Sequence, residues 1–392
     1  MVNYNINYLK PNNQKSFLNR DYDVYSFKKL NAPIYKNAFI LPYKETNDPY
    51  HIYAGVVTEN GEYLDQSGFH EDIGKGYSFS EDGISSIDIC IYLGVFDNCW
   101  GHVITDVIKK VWYVNNFNIK ENVIYAYTTR LNKPLANHTI EILSLAGIDI
   151  KRCVHIQKIT KVNTLLLPDN SLFLNQDQRF YTNEYKETIN KIKLSVQAKF
   201  TLKEPKYKKI YFTRTKLNDW RDHGEHSIEK EFSKKGFQII APEELSPSKQ
   251  IYLLMNCEEF ATLSGSPAHS AQFCSKGTKF IDIRKADYWN TYQEVANHLG
   301  DLNVTLIDTH KSTMVKSNAP WGGPFYIYKT PEFLRFIQKP PFIIPLLLRP
   351  SWLQYRYKEP LKDIYYGFRA RIGIRTNINK IYNYIKFHLL KQ

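Results

Sequence analysis

Along most of this chain, short runs of apolar residues with strand character alternate with longer stretches whose apolar residues recur at helical spacing. The first clear case is residues 87–96, Ile-Asp-Ile-Cys-Ile-Tyr-Leu-Gly-Val-Phe, a strongly β-prone run followed by a short polar loop. A helical pattern then predicts a helix over 101–114. The alternation continues with a strand at 123–127, a helix at 135–146 ended by Gly147, and a strand at 164–167. A long polar helix is expected over about 182–198, leading into Thr201-Leu202-Lys203-Glu204-Pro205 as a linker.

Beyond the linker the same rhythm resumes. Strands are expected at 209–213, 237–240, 259–263 and 279–283, with helices at 227–235 and 247–256 and another from about 267. Residues 1–60 mix short apolar pieces with Asn, Lys and Pro, which suggests an irregular opening followed by a strand at 51–57 and a hairpin continuation at 61–64. Strand and helix in regular alternation imply an α/β fold with parallel sheets, whose ligands sit at the carboxyl ends of the strands.

Composition narrows this picture. A chain of 392 residues with 43% apolar content can bury a large core, and its length favours two units with a cleft between them. The expected division is 1–200 as an N-terminal α/β unit, 201–330 as a C-terminal Rossmann-like unit, and 331–392 as a tail. The five cysteines are widely spaced, with neither a C-x-x-C pair nor a metal-ligand pattern, and read as reduced thiols. The start lacks a basic segment followed by an apolar run, which points to the cytoplasm. The longest apolar stretch near the end, 342–348, is broken by Pro345 and falls far short of the roughly 20 residues that span a bilayer.

Charge is concentrated in the tail. Residues 334–392 hold twelve Lys and Arg against Glu359 and Asp363, a balance of +10 out of the net charge of +13. There Ile374, Ile378, Ile381, Ile385 and Leu389 form an apolar stripe beside Arg371, Arg375, Lys380, Lys386 and Lys391. Such a helix either docks on an anionic membrane surface, at the inner face of the cell membrane, or packs on its own protein, and the pattern leaves both open. No nucleic-acid motif accompanies the charge.

Three constellations carry candidate chemistry. In Asn98-Cys99-Trp100-Gly101-His102-Val103-Ile104-Thr105-Asp106, His102 and Asp106 are four apart, so a helix puts them on one face. Either could take a proton from a hydroxyl, with Asp106 the first candidate and His102 the second; equally, the two could satisfy each other at a helix start. After the strand ending at Thr213 come Arg214, Lys216, Arg221 and His223, of which Arg214 is best placed to meet a diphosphate. Finally Ser264-Gly265-Ser266-Pro267-Ala268-His269 ends a strand in small residues, with Ser266 suited to cap a helix and Pro267 to begin it. This loop is a candidate phosphate holder or a plain strand-to-helix turn. Asp21-Tyr22-Asp23 has the Asp-x-Asp form of some metal sites but lies outside any clear strand end, and no metal is expected.

Taken together, these pieces resemble glycosyltransferase family 61. The resemblance rests on the His102/Asp106 segment and on a block running Ile210-Tyr211-Phe212-Thr213-Arg214, Gly236-Phe237, Pro242-Glu243-Glu244-Leu245-Ser246 with Gln250, the small-residue loop, and Gly277-Thr278-Lys279-Phe280-Ile281-Asp282. It implies a GT-B-like pair of Rossmann-type lobes with a cleft between them, an inverting mechanism and no obligatory metal or other cofactor. A nucleotide-sugar donor, UDP-linked by expectation, would be bound by Arg214, Lys216, Glu244, Ser264, Gly265, Ser266 and His269. Asp106 and His102 would fall on the acceptor side. Where many members carry His-Gly-Ala-Gly, this chain has Ser264-Gly265-Ser266-Pro267, which suggests a divergent, bacterial branch. The expected acceptor is a glycan or lipid-linked oligosaccharide of capsule or other surface polysaccharide. Two alternatives remain: a pyruvyl or phosphosugar transferase on the same fold, and a noncatalytic glycan-binding subunit of an assembly complex.

Overall fold

The computed structural model describes residues 2–20, 23–48, 50–80, 84–175, 177–200, 207–217, 222–310 and 325–340. The expected linker at 201–205, Arg221, Asp21, Tyr22 and all of the tail beyond Pro340 lie outside the described residues. Within them the protein is a mixed α/β fold built on two large sheets.

The first sheet has seven strands, in the spatial order Gly74–Lys75, Ile52–Val57, Ile34–Lys44, Thr160–Leu166, Ser85–Phe96, Ile124–Thr129 and Cys153–His155. Ile34–Lys44 pairs antiparallel with both of its neighbours, and the remaining pairs are parallel. Ser85–Phe96 becomes fully buried from Cys90 onward, as its unbroken apolar run requires. Its register against Ile124–Thr129 shifts between Tyr92 and Gly94, where Gly94 takes φ +122°, a conformation that favours glycine. This bulge re-aims the strand end just ahead of the His102/Asp106 segment.

All six strands of the second sheet are parallel: Asn3–Tyr8, Asn303–Asp308, Lys279–Arg284, Glu259–Leu263, Lys209–Phe212 and Gln238–Ile240. Its first edge strand comes from the N-terminus, a segment whose sequence pattern suggests an irregular opening of the first unit. In Asn-Tyr-Asn-Ile-Asn-Tyr, exposed and half-buried positions alternate, and that period-2 pattern fits an edge with one face against the core. The helix Pro11–Leu18 follows and docks on the same unit.

Helices appear close to their expected places at Asn137–Leu145, Asn183–Lys199, Glu225–Lys234 and Pro247–Asn256. The expected helix over 101–114 does not. The backbone forms the short helices Trp100–Val103 and Val111–Asn116 with turns between them. Within the turns the Val107 N–H reaches back five residues to the His102 carbonyl (3.0 Å), while Thr105 N–H also points to that oxygen (3.3 Å). Apolar spacing persists through 103–111 because Val103, Ile104, Val107, Ile108 and Val111 are all fully buried, so periodicity alone could not reveal the widened turn.

One continuous hydrophobic cluster links the sheets, running from Ile91, Phe96, Val103 and Val107 to Ile210, Phe212, Phe260 and Phe280. Within it Phe260 lies 5.1 Å from Phe212 and 5.3 Å from Phe280, ring centre to ring centre. Phe260→Ala should therefore cost about 3–5 kcal/mol, read as a lower denaturant midpoint at unchanged slope.

Candidate active site

Loop geometry at three places in the chain converges on Asp106. After Phe96, Asn98 pins the chain: its side chain accepts from Ala136 N–H (2.8 Å) and the Thr139 hydroxyl (2.9 Å) and donates to Pro134 O (2.9 Å). The widened turn that follows brings His102 Nδ1 to 2.8 Å from Asp106 Oδ2. The second approach is the loop 68–74, pinched so tightly that a Cβ on Gly68 would lie 2.9 Å from Gly74 Cα. It presents His70, whose Nε2 is 3.3 Å from the same Asp106 oxygen. Third, Tyr292 donates its hydroxyl proton to Asp106 Oδ1 at 2.8 Å from the start of the helix Thr291–Gly300.

The carboxylate is therefore enclosed by donors. Its side chain is 2% exposed, against 28% for His102. Thr105 Oγ1 sits between Gly101 O (2.8 Å) and Asp106 Oδ2 (3.0 Å), and Lys109 Nζ is 4.0 Å from Oδ1. Burial by itself would raise the Asp106 pKa, but the charge of His70 and the hydrogen bonds from His102 and His70 outweigh it and hold the group well below the usual carboxylate range. An ionised carboxylate only accepts, so His102 must donate its Nδ1–H, which leaves Nε2 as the acceptor of a proton. The trio His70, His102 and Asp106 also places three ligand atoms within 4.8 Å of one another, close enough to hold a metal ion among the described residues.

Beside this cluster the two sheets meet almost without clearance. A Cβ on Gly101 would lie 2.9 Å from Ser266 Oγ and 3.4 Å from His269, and Cys99 Sγ is 3.8 Å from Ser266 Oγ. Trp100 Nε1 donates to Ser270 Oγ across the seam at 2.8 Å. Gly265, at φ +123°, opens this loop toward two cations: the position a Cβ would occupy is 3.7 Å from both an Arg214 Nη and Lys285 Nζ. Both cations lean on one buried carboxylate, Asp222, through Arg214 Nε (3.1 Å) and Lys285 Nζ (2.9 Å). The nearby Glu225 carboxyl is pushed up to about 7, chiefly by burial, so it only partly offsets them.

The family model described as Glycosyltransferase 61 matches residues 100–281, which includes the His102/Asp106 segment, Arg214 and the Gly265 loop. Over that segment the chain is similar to glycosyltransferase family 61. The match marks the protein as a glycosyltransferase. A comparison with curated proteins finds no match.

The transferase brings some of the expected donor residues together and commits others elsewhere. Arg214 approaches Gly265, whereas the Ser266 side chain packs against Gly101. Ser264 Oγ donates to Asp282 at 2.6 Å, and the helix cap is Gly265 rather than Ser266, which is itself the first residue of the helix Ser266–His269. Lys216 and Glu244 pair with each other at 2.9 Å on the exposed rim of a separate pocket of about 220 Å³, shared with Thr213, Thr215, Glu229 and Leu245. His269 has Gln293 Oε1 3.1 Å from Nδ1 and Asn290 Nδ2 3.4 Å from Nε2, so its ring is fixed within the seam.

Sequence reasoning missed His70, Lys285 and Tyr292. Lys285 directly follows the strand Lys279–Arg284, and cations at the carboxyl ends of parallel strands are the signal that selected Arg214. No comparable signal marks His70 or Tyr292, which act through tertiary approach. In this glycosyltransferase the burial of His269 pulls its pKa from 6.5 to about 4. Between these values the unfolded chain binds more protons, so the stability His269 contributes is complete above about pH 6.5 and is lost as pH falls toward 4. Histidine NMR should show one imidazole that stays neutral until the pH nears 4.

Proposed function

We propose that the protein is an inverting glycosyltransferase of a GT-B-like, two-lobed kind, in which His102 is the base and Asp106 orients it. This reverses the ranking expected from sequence. The observation that carries it is the His102–Asp106 pair, with Nδ1 held at 2.8 Å by a buried carboxylate, set at the seam beside the Gly265 gap that faces Arg214 and Lys285. A carboxylate enclosed by donors and held well below its usual pKa is a poor proton acceptor, whereas the imidazole it orients is well suited to the task.

In this reading a nucleotide sugar binds with its diphosphate against Arg214, Lys285 and the Gly265–Ser266 backbone. The acceptor hydroxyl attacks the anomeric carbon from the face opposite the diphosphate and gives its proton to His102 Nε2. The new C–O bond forms as the bond to the diphosphate breaks, and the electron pair leaves with the phosphate. Two preorganised cations meet the charge that develops there, a role that needs no metal. The pocket rimmed by Lys216 and Glu244 adjoins Arg214 through Thr213 and Thr215 and suits the nucleoside, with a uridine diphosphate donor as our choice.

The acceptor we propose is a glycan or lipid-linked oligosaccharide of bacterial surface polysaccharide, with the basic residues of 331–392 docking the enzyme on an anionic membrane from the cytoplasmic side. The support for this last step is the charge and stripe of that segment. Among the described residues no helix is long and apolar enough to cross a membrane.

His102→Gln should lower kcat about a thousandfold with little change in donor KM, the loss expected for removing a general base. Arg214→Ala should instead raise donor KM and lower kcat together. A thermal-shift screen of the wild-type chain with UDP, GDP and CMP should find a nucleotide that stabilises it in the presence of a chelator; no response to any of them, or a His102→Gln enzyme of near-normal rate, would contradict the reading.

A further inference from the structure

The carboxylate that orients His102 is held from both sides of the seam. On its own side it meets His102, Thr105 and His70; from the second-sheet unit it receives one hydrogen bond, that of Tyr292. On the Oδ1 side Lys109 Nζ also lies 4.0 Å away. Tyr292 cannot change roles easily. Its hydroxyl pKa is raised well above 10 by burial and by the charge of Asp106, so it remains a donor. Because its single proton goes to Asp106, His70 Nε2, 3.2 Å from the hydroxyl, has to donate as well. The ring is clamped by the Arg179 guanidinium, 4.6 Å from its centre, and Arg179 is tied to Glu71, the neighbour of His70, at 3.0 Å.

Seven residues upstream of Tyr292 lies Lys285, one of the two cations at the Gly265 gap. The segment between them is braced as one piece. Arg284 donates to the carbonyls of Ala286 (3.2 Å), Asp287 (3.2 Å) and Tyr288 (3.4 Å), and its guanidinium lies 3.7 Å from the centre of the Trp289 ring. Asp287 is held by His310 Nε2 and Asn13 Nδ2, each at 2.8 Å. Asn290 then caps the helix Thr291–Gly300 by accepting from Tyr292 N–H at 3.0 Å. A force applied at Lys285 therefore reaches Tyr292 through a stiff segment rather than a slack loop.

We propose that Tyr292 is a positioning residue that couples occupancy of the diphosphate gap to the orientation of the base: an anion drawing on Lys285 shifts the segment 285–292, and Tyr292 passes that shift to Asp106 and so to His102. The proposal rests on the donor-site reading above, and its consequence is order. The base is brought to its working geometry once the donor is in place, so the acceptor is deprotonated only beside a bound donor.

The test uses the full-length chain labelled with ¹⁵N-histidine, with the His102 imidazole signal assigned from the His102→Gln spectrum and inorganic pyrophosphate as the probe. Calorimetry measures pyrophosphate binding to the wild type, to Tyr292→Phe, which keeps the ring under Arg179, and to Lys285→Ala. The expected result is that pyrophosphate binds the wild type and moves the His102 signal. It should bind Tyr292→Phe within about tenfold of the wild-type Kd, the difference being the coupling that is lost, and leave that signal still, and bind Lys285→Ala at least tenfold more weakly. A His102 signal that moves equally in wild type and Tyr292→Phe, or that stays still in a wild type that binds pyrophosphate, overturns the coupling while leaving the donor site intact. No pyrophosphate binding to the wild type removes the donor-site reading and the coupling together.

Discussion

A carboxylate taken out of water has to be met by donors, and in this protein the group concerned is Asp106. Moving such a charge into the interior without partners would cost several kcal/mol or shift its protonation. Here the cost is offset by hydrogen bonds to a charged acceptor, each worth about 1.5–3 kcal/mol. The donors come from a pinched glycine loop, a widened helical turn and a helix of the opposite sheet. Meeting the needs of one buried oxygen pair thereby fixes the relative placement of segments near residues 70, 104 and 292.

That placement has chemical consequences. His102 has one nitrogen committed to Asp106, while Asp106 is kept ionised and shielded. The seam against which His102 sits is closed by Gly101 meeting Ser266, a contact in which any side chain at 101 would crowd the loop. Around Gly265 the charge balance is reversed: two cations share Asp222, and Glu225 titrates near 7 because of its burial. On the reading proposed above, the base and the diphosphate site are held on opposite sides of a single packed junction, the arrangement a transfer between a hydroxyl and a diphosphate-linked sugar requires.

Much of this was legible in the chain itself. The strands ending at Phe96, Phe212, Leu263 and Arg284 announce themselves by short runs rich in apolar and β-branched residues, and the residues that follow each of them enter the candidate site. His102, Asp106, Arg214 and the Gly265 loop were found on that basis. What could not be read was how many donors surround the Asp106 carboxylate, a tertiary quantity on which the roles proposed for His102 and Asp106 depend. The helix expected over 101–114 failed for a related reason: burial on every side preserves apolar spacing through a turn that no longer follows an α-helical path. The strand Asn3–Tyr8 was missed because an edge strand of Asn and Tyr carries little hydrophobic signal until its partner, Asn303–Asp308, is known.

The most direct test of the central claim is a crystal structure of the protein with a bound nucleoside diphosphate. The account predicts the diphosphate within hydrogen-bond distance of Arg214 and Lys285 against the Gly265–Ser266 backbone, with His102 Nε2 facing its terminal phosphate across a gap wide enough for a sugar ring. A diphosphate bound away from those residues, or a His102 ring turned from it with the Asp106 hydrogen bond broken, would contradict the account.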